Sequence, residues 1–227
     1  MYELFIANKN YSSWSLRPWA LLSELGIPFT ETLLFFGDEA AWGPFRRLSP
    51  SGKVPCLRDG ATVVWDSLAI AEYLAERHTG VWPADAAARA WARSAAAEMH
   101  SGFGVLRQRG SMSVGVRVRL HERPAALDQD LARLTALWEQ GLQRFGGPFL
   151  GGPAFTAVDA FYAPVTFRLS TYGLSLGEAA DAYAARLRAL PSMLAWYTAA
   201  LAERARDVHH EVEIEAAGEC LADLRAT

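Results

Sequence analysis

The chain has 227 residues, 51% hydrophobic and 21% charged, with a formal net charge of −3. That composition fits one large globular domain or two smaller ones with a sizeable core. The slightly acidic balance gives no global field toward nucleic acid or anionic lipid, and no apolar run reaches the roughly 18 residues of a membrane helix. Met1-Tyr2-Glu3-Leu4 lacks the basic start of a secretory signal, and Cys56 and Cys220 form no disulfide framework, CxxC pair or zinc motif. A cytoplasmic protein with no nucleic-acid, membrane or metal partner is expected.

The run Tyr2 to Ala7 has the length of a buried strand. Ser15 to Leu25 reads as a helix, with Pro18 in its first turn and Gly26 as its stop. Phe29 to Phe35 predicts a second strand. Cys56 to Arg58 and Thr62 to Trp65 flank Asp59-Gly60, a two-residue hairpin signal. Asp66 then caps a helix through Leu68, Ile70, Ala71, Tyr73 and Leu74, which stops by Gly80. The order is β-α-β, a connecting segment, then β-β-α, which predicts a small mixed sheet.

Val81-Trp82-Pro83 reads as a linker, and beyond it no strand is predicted. Alanine-rich helices are expected over Ala86 to Arg107, Leu127 to Phe145, Thr156 to Leu169, Ala179 to Leu190 and Ser192 to Arg206. Gly146 to Pro153, with four glycines and two prolines, predicts a loop. The tail after His209 carries Glu211, Glu213, Glu215 and Glu219 and is expected to pack loosely or in part.

Two features carry chemistry. Pro55 opens a predicted strand, and a cis Val54-Pro55 bond would turn the N–H and C=O of Val54 outward. An extended peptide could then pair with Val54 as an added strand. Asp66-Ser67 places an anion-binding helix N-terminus eleven residues after Pro55. Together they predict a pocket for a small, charged, peptide-like molecule. Thr156-Ala157-Val158-Asp159 reads as a capping box with Asp in place of Glu.

Four pieces now stand in order along the chain: Tyr11-Ser12-Ser13-Trp14-Ser15-Leu16-Arg17, Val54-Pro55, Asp66-Ser67 and Thr156 to Asp159. This arrangement resembles the cytosolic glutathione transferase superfamily, over nearly the whole chain to about residue 206. The serine segment is similar to the Ser-Ser-Cys-Ser-x-Arg signature of the zeta class, with Trp14 where that signature has cysteine, and the resemblance is to a bacterial, zeta-like member. It implies an α/β plus all-α fold: a thioredoxin-like glutathione-binding domain over 1–80, a linker over 81–85, and a helical domain over 86–227. A homodimer acting on a small electrophile, with glutathione as co-substrate, is implied as well.

The resemblance assigns thiol activation to Ser12, Ser13 and Ser15, with Ser12 foremost. A thiol with a pKa near 8.5 needs about two units of lowering, or about 2.7 kcal/mol, to be thiolate at neutral pH. A hydrogen bond to a charged acceptor supplies roughly 1.5–3 kcal/mol and a helix N-terminus roughly 0.3–1 more. The same serines could instead serve only to cap the helix. Lys53 is implied to meet the glycyl carboxylate, Val54 and Pro55 the cysteinyl backbone, and Asp66 and Ser67 the γ-glutamyl end. Trp14, Arg17, His100, Phe103 and Arg107 are expected around the second substrate, the last three on one face of one helix. Arg17 is open to three readings: substrate carboxylate, active-site brace, or ion pair. Two rival functions remain beside the transferase, a non-catalytic glutathione-binding module and a ligandin that stores apolar molecules.

Overall fold

The computed structural model describes residues 1–36 and 39–226. Strand β1 (Tyr2–Ala7) runs parallel to β2 (Phe29–Leu34), the two joined by α1 (Ser13–Glu24). Helix α2 (Glu39–Leu48) occupies the connecting segment, for which no element was predicted. Strands β3 (Cys56–Asp59) and β4 (Thr62–Trp65) complete an antiparallel edge, giving the order β2-β1-β3-β4. The hairpin turn is Gly60-Ala61, one residue later than predicted, because Asp59 itself pairs with Thr62. Gly60 takes the left-handed conformation there, at φ 57°. Helix α3 (Ser67–Ala75) follows directly.

Helix α1 starts at Ser13, two residues before the predicted start, with Ser12 as its N-cap. Pro18 therefore lies inside the helix rather than in its first turn. Having no N–H, it leaves the carbonyl of Trp14 without its helical donor.

The second half is helical: α4 (Ala86–Ser101), α5 (Gly104–Arg109), α6 (Ala125–Phe145), α7 (Ala157–Tyr172), α8 (Glu178–Arg188), α9 (Pro191–Ala202) and α10 (Val208–Ala217). Helix α7 is buried on nearly every side, as an apolar helix at a domain centre must be, and packs against α1, α4 and α8. Asp159 starts it: its carboxylate accepts from the N–H groups of Leu150 (3.0 Å) and Thr156 (2.9 Å) and from the Tyr183 hydroxyl (2.9 Å).

Three expectations for this half are corrected. The helix predicted over Ala86 to Arg107 is two helices, α4 and α5, broken where Phe103 adopts φ 54°. Strands do occur here: β5 (Val116–Leu120) pairs antiparallel with β6 (Gly218–Asp223). The strict alternation Val-Arg-Val-Arg-Leu, with both valines buried, was the signal for β5. Gly218 lies against the carbonyl of Arg119, where any Cβ would collide.

The tail is the third correction, since it is docked rather than loose. Ile214 packs with Tyr11, Val116, Val118 and Tyr172 in a second small core. Arg225 is buried among Tyr11, Glu211 and Asp223. Its four acidic residues went with an expectation of loose or partial packing, but Arg225 pairs with Glu211 and Arg119 with Glu219.

Candidate functional site

The loop from β1 to α1 is buried and tied from below. Glu203, just past α9, accepts from the N–H groups of Lys9 (2.6 Å) and Asn10 (3.1 Å), and Trp196 Nε1 donates to the Lys9 carbonyl (2.9 Å). Burial raises the Glu203 pKa, and the donors from Lys9 and Asn10 hold it back. This clamp fixes where the serines emerge. The N–H of Ser12 donates to Asn8 O at 2.8 Å.

The three serines differ. Ser15 is fully buried and its hydroxyl accepts from the N–H of Ala7 (3.2 Å), facing β1 rather than the cavity. Ser12 Oγ donates to Ser15 Oγ (2.7 Å) while accepting from its N–H (3.4 Å), so its hydrogen is committed. Ser13 Oγ accepts from Arg168 Nη2 (3.3 Å), which leaves its own O–H free to donate.

Ser12, Ser13, Trp14, Lys53, Val54 and Arg107 line one cavity of about 900 Å³. The Val54-Pro55 bond is cis. Lys53 is exposed, Val54 half-buried, and neither the N–H nor the C=O of Val54 has a partner among the described residues.

Asp66 and Ser67 lie outside that lining, in an adjoining group. Asp66 takes a left-handed φ of 76° as the N-cap of α3, and its carboxylate accepts from the N–H groups of Leu68 (2.8 Å) and Ala69 (3.5 Å). Ser67 is buried, and its hydroxyl accepts from Arg17 Nη1 at 3.4 Å. His100 Nε2 is 3.4 Å from Asp66 Oδ2. Burial lowers the His100 pKa against the pull of Asp66, and Arg17 and Arg107 lower it further.

Trp14 stands between the two groups. The guanidiniums of Arg17 and Arg107 lie over its ring at 4.0 and 4.6 Å, and His100 meets its edge at 5.1 Å. Arg17 is 2% exposed and makes no ion pair among the described residues; it donates to Ser67 Oγ and, at 3.5 Å, to the Met99 carbonyl. Burial brings its pKa down to about 9, with Arg107 and Arg168 adding to the effect. Phe103 is buried against Tyr162 instead of lining the cavity, a consequence of the break before α5. His100, Phe103 and Arg107 therefore share no helical face.

Sequence reasoning missed several cavity residues. Arg168, from α7, is buried and donates to the Gly110 carbonyl as well as to Ser13. Burial, with Arg107 adding to it, lowers its pKa to about 10. An arginine inside Phe161 to Tyr172, a segment with no other charged residue, was the available signal. Tyr11, Phe36, Asp207, His209, His210 and Glu213 also line the cavity. Of these, His210 and Glu213 lie in the tail expected to pack loosely or in part, and Asp207 and His209 between that tail and the last predicted helix; none of the four was singled out for the site.

A thioredoxin-like mixed-sheet domain set against a helical domain, with helix-start hydroxyls beside a cis Val-Pro, defines the glutathione-transferase class of fold and site. The family model for the glutathione S-transferase N-terminal domain matches residues 11–77, and that for the C-terminal domain matches residues 119–199. The chain belongs to the glutathione transferase superfamily. It is 28% identical to the glutathione S-transferase-like protein OpS6 of Beauveria bassiana, over 71% of this chain and 76% of that protein. It is also 28% identical to a probable maleylacetoacetate isomerase of Caenorhabditis elegans, over 72% and 77%. Its fold superposes with a TM-score of 0.66 on a glutathione transferase homologue from Burkholderia with bound glutathione, at 22% identity, covering 88% of this chain and 97% of that one. Among the described residues no helix is long and apolar enough to cross a membrane.

Proposed function

We propose that the chain is a serine-type glutathione transferase, a cytoplasmic homodimer that holds the glutathione thiol as thiolate and directs it at a small electrophile in the 900 Å³ cavity. The observation that carries this reading is the unpartnered backbone of Val54 in the same cavity as the hydroxyls of Ser12 and Ser13. An extended tripeptide pairs with Val54 as a short added strand. Its glycyl carboxylate then reaches toward Lys53. Its γ-glutamyl ammonium meets Asp66, and its α-carboxylate meets the Ser67 hydroxyl and N–H, with Arg17 behind them.

The hydroxyl that meets the sulfur is Ser13's, because Ser12's hydrogen goes to Ser15. Arg168 polarises the Ser13 hydroxyl, which strengthens it as a donor. Arg17, Arg107 and Arg168 have no carboxylate partner among the described residues, and each has its pKa lowered by burial. Such a cluster favours an anion among them. One guanidinium about 8 Å away contributes about 2 kcal/mol at an effective dielectric near 20, comparable to the two-unit shift the thiol requires. Arg107, Trp14 and the α10 residues His209 and His210 bound the space for the electrophile.

The test is a thiolate-absorbance titration of bound glutathione in wild type, Ser13→Ala and Ser12→Ala. A lowered thiol pKa in wild type that returns toward the free value in Ser13→Ala, and much less in Ser12→Ala, supports the reading. Bound glutathione with an ordinary thiol in wild type would instead leave the non-catalytic binding module or ligandin as the better account.

A further inference from the structure

Asp207 is buried and caps α10, accepting from the N–H of His210 at 3.1 Å. The same carboxylate oxygen lies 2.5 Å from His210 Nδ1. That contact commits Nδ1 as the protonated, donating nitrogen and leaves Nε2 as the lone-pair nitrogen. Nε2 has no partner among the described residues. The imidazole is held flat by two rings, stacked on Tyr11 at 4.9 Å and on Phe36 at 5.4 Å. Asp207 and His210 both line the cavity that also holds Ser12, Ser13 and Val54, with Tyr11, Lys53, Arg107, Arg168, His209 and Glu213 as the other charged or titratable groups.

We infer that Asp207 and His210 form a proton-transfer dyad that serves the second substrate. This inference rests on the proposed transferase reading and deepens it by naming a reaction class. An imidazole whose far nitrogen is held by a buried carboxylate takes up a proton at the exposed nitrogen, and the carboxylate stabilises the imidazolium that forms. The dyad therefore suits electrophiles that add the thiol without losing a group: α,β-unsaturated carbonyl compounds and epoxides. The sulfur reacts as the bound thiolate, its proton having passed to solvent, and Nε2 takes up a proton from solvent in its place. The sulfur–carbon bond then forms as the C=C π pair moves toward the carbonyl, or as the epoxide C–O bond breaks. Nε2 gives its proton to the carbon or oxygen that has gained the charge. One proton leaves to solvent and one returns, so the adduct has the composition of both reactants, and nothing is oxidised or reduced. Displacement at an aryl halide differs, because the halide carries the charge away and no proton is returned.

The experiment compares kcat/KM for an α,β-unsaturated ketone and for an aryl halide in wild type, His210→Gln, His210→Phe and Asp207→Asn. Glutathione affinity of each is measured by calorimetry. The phenylalanine variant keeps the ring stack on Tyr11 and Phe36, so a loss in it is not a loss of folding. The expected result is a fall of about 100-fold for the ketone in both His210 variants, the usual scale of acid–base assistance. The aryl halide falls far less, and Asp207→Asn shifts the ratio in the same direction. Equal losses for both substrates, or no loss for either, would overturn the dyad while glutathione binding stands. Absence of glutathione binding in wild type would overturn the transferase reading, and the dyad with it.

Discussion

Arg225 donates to the hydroxyl of Tyr11 at 3.1 Å, joining residues 214 apart in sequence. Tyr11 immediately precedes the serines of the candidate site, so the C-terminal strap of α10 and β6 is fastened to the loop that carries them. The same guanidinium reaches both oxygens of Glu211, at 2.6 and 2.9 Å, and Asp223 at 2.7 Å.

Arg225→Ala is expected to remove about 2–3 kcal/mol of stability, because it strands a tyrosine and two carboxylates around a buried position. It also frees the cavity wall bearing His210. Chemical denaturation measures the first effect. A rise in KM for the second substrate larger than that for glutathione measures the second.

Acid should release the strap before it opens the centre of the helical domain. Burial alone would raise the Glu211 carboxyl, but the hydrogen bonds from Arg225 and Tyr11 outweigh it and hold its pKa below the ordinary 4.5. Asp223 is held below 3.8 by its hydrogen bonds with Arg225. A depressed folded pKa contributes stability above the unfolded value and loses it as pH falls through the folded one. Asp159 has the opposite sign: burial raises it to about 6, so its contribution grows as pH falls from 6 toward 4. Hydrogen exchange below about pH 4 should show α10 and β6 opening while α7 stays protected. Simultaneous opening of both would contradict this.

Asp159→Asn is expected to be worse than Thr156→Ala. Loss of an N-cap hydroxyl costs about 1 kcal/mol. The asparagine turns an amide toward donors where the carboxylate now accepts from Leu150, Thr156 and Tyr183, for a loss of about 2–4 kcal/mol. Thermal melting of the two variants side by side decides the order.

Arg168→Met should separate function from stability. Replacing a buried arginine without an ion-pair partner by an apolar side chain is often neutral or stabilising. The bound thiol, however, loses the charge behind Ser13. The expectation is an unchanged or higher melting temperature together with a raised thiol pKa of bound glutathione. A large loss of stability would mean that the bond to the Gly110 carbonyl matters more than the charge.

Much of the N-terminal half was legible because its signals are local. The first strand, the hairpin near Gly60 and the cap at Asp66 each follow from a few neighbouring residues whose pattern matches their secondary structure. The segment around α2 was not: its ten residues form a helix although Gly43-Pro44, a local helix breaker, lies in the middle of them. Helix α4 was visible from its alanines, whereas its end at Gly102 depended on Phe103 turning inward onto Tyr162, a contact 59 residues away that no local pattern announces.

The sequence by itself determined the β-α-β and β-β-α order of the N-terminal half and the residue types of the candidate site: hydroxyls before a helix, a proline at a strand start, an acidic cap. These are properties of adjacent residues, and backbone geometry follows from them directly. Only the tertiary structure decided which hydroxyl keeps a free hydrogen, that Arg168 stands behind Ser13, and that Asp207 and His210 reach the cavity. Each depends on long-range packing of the buried loop and the strap, through which Glu203, Arg225 and Ile214 draw distant segments onto the first turn of α1. Burial and pairing there are set by the whole fold, and a one-dimensional pattern carries no measure of them.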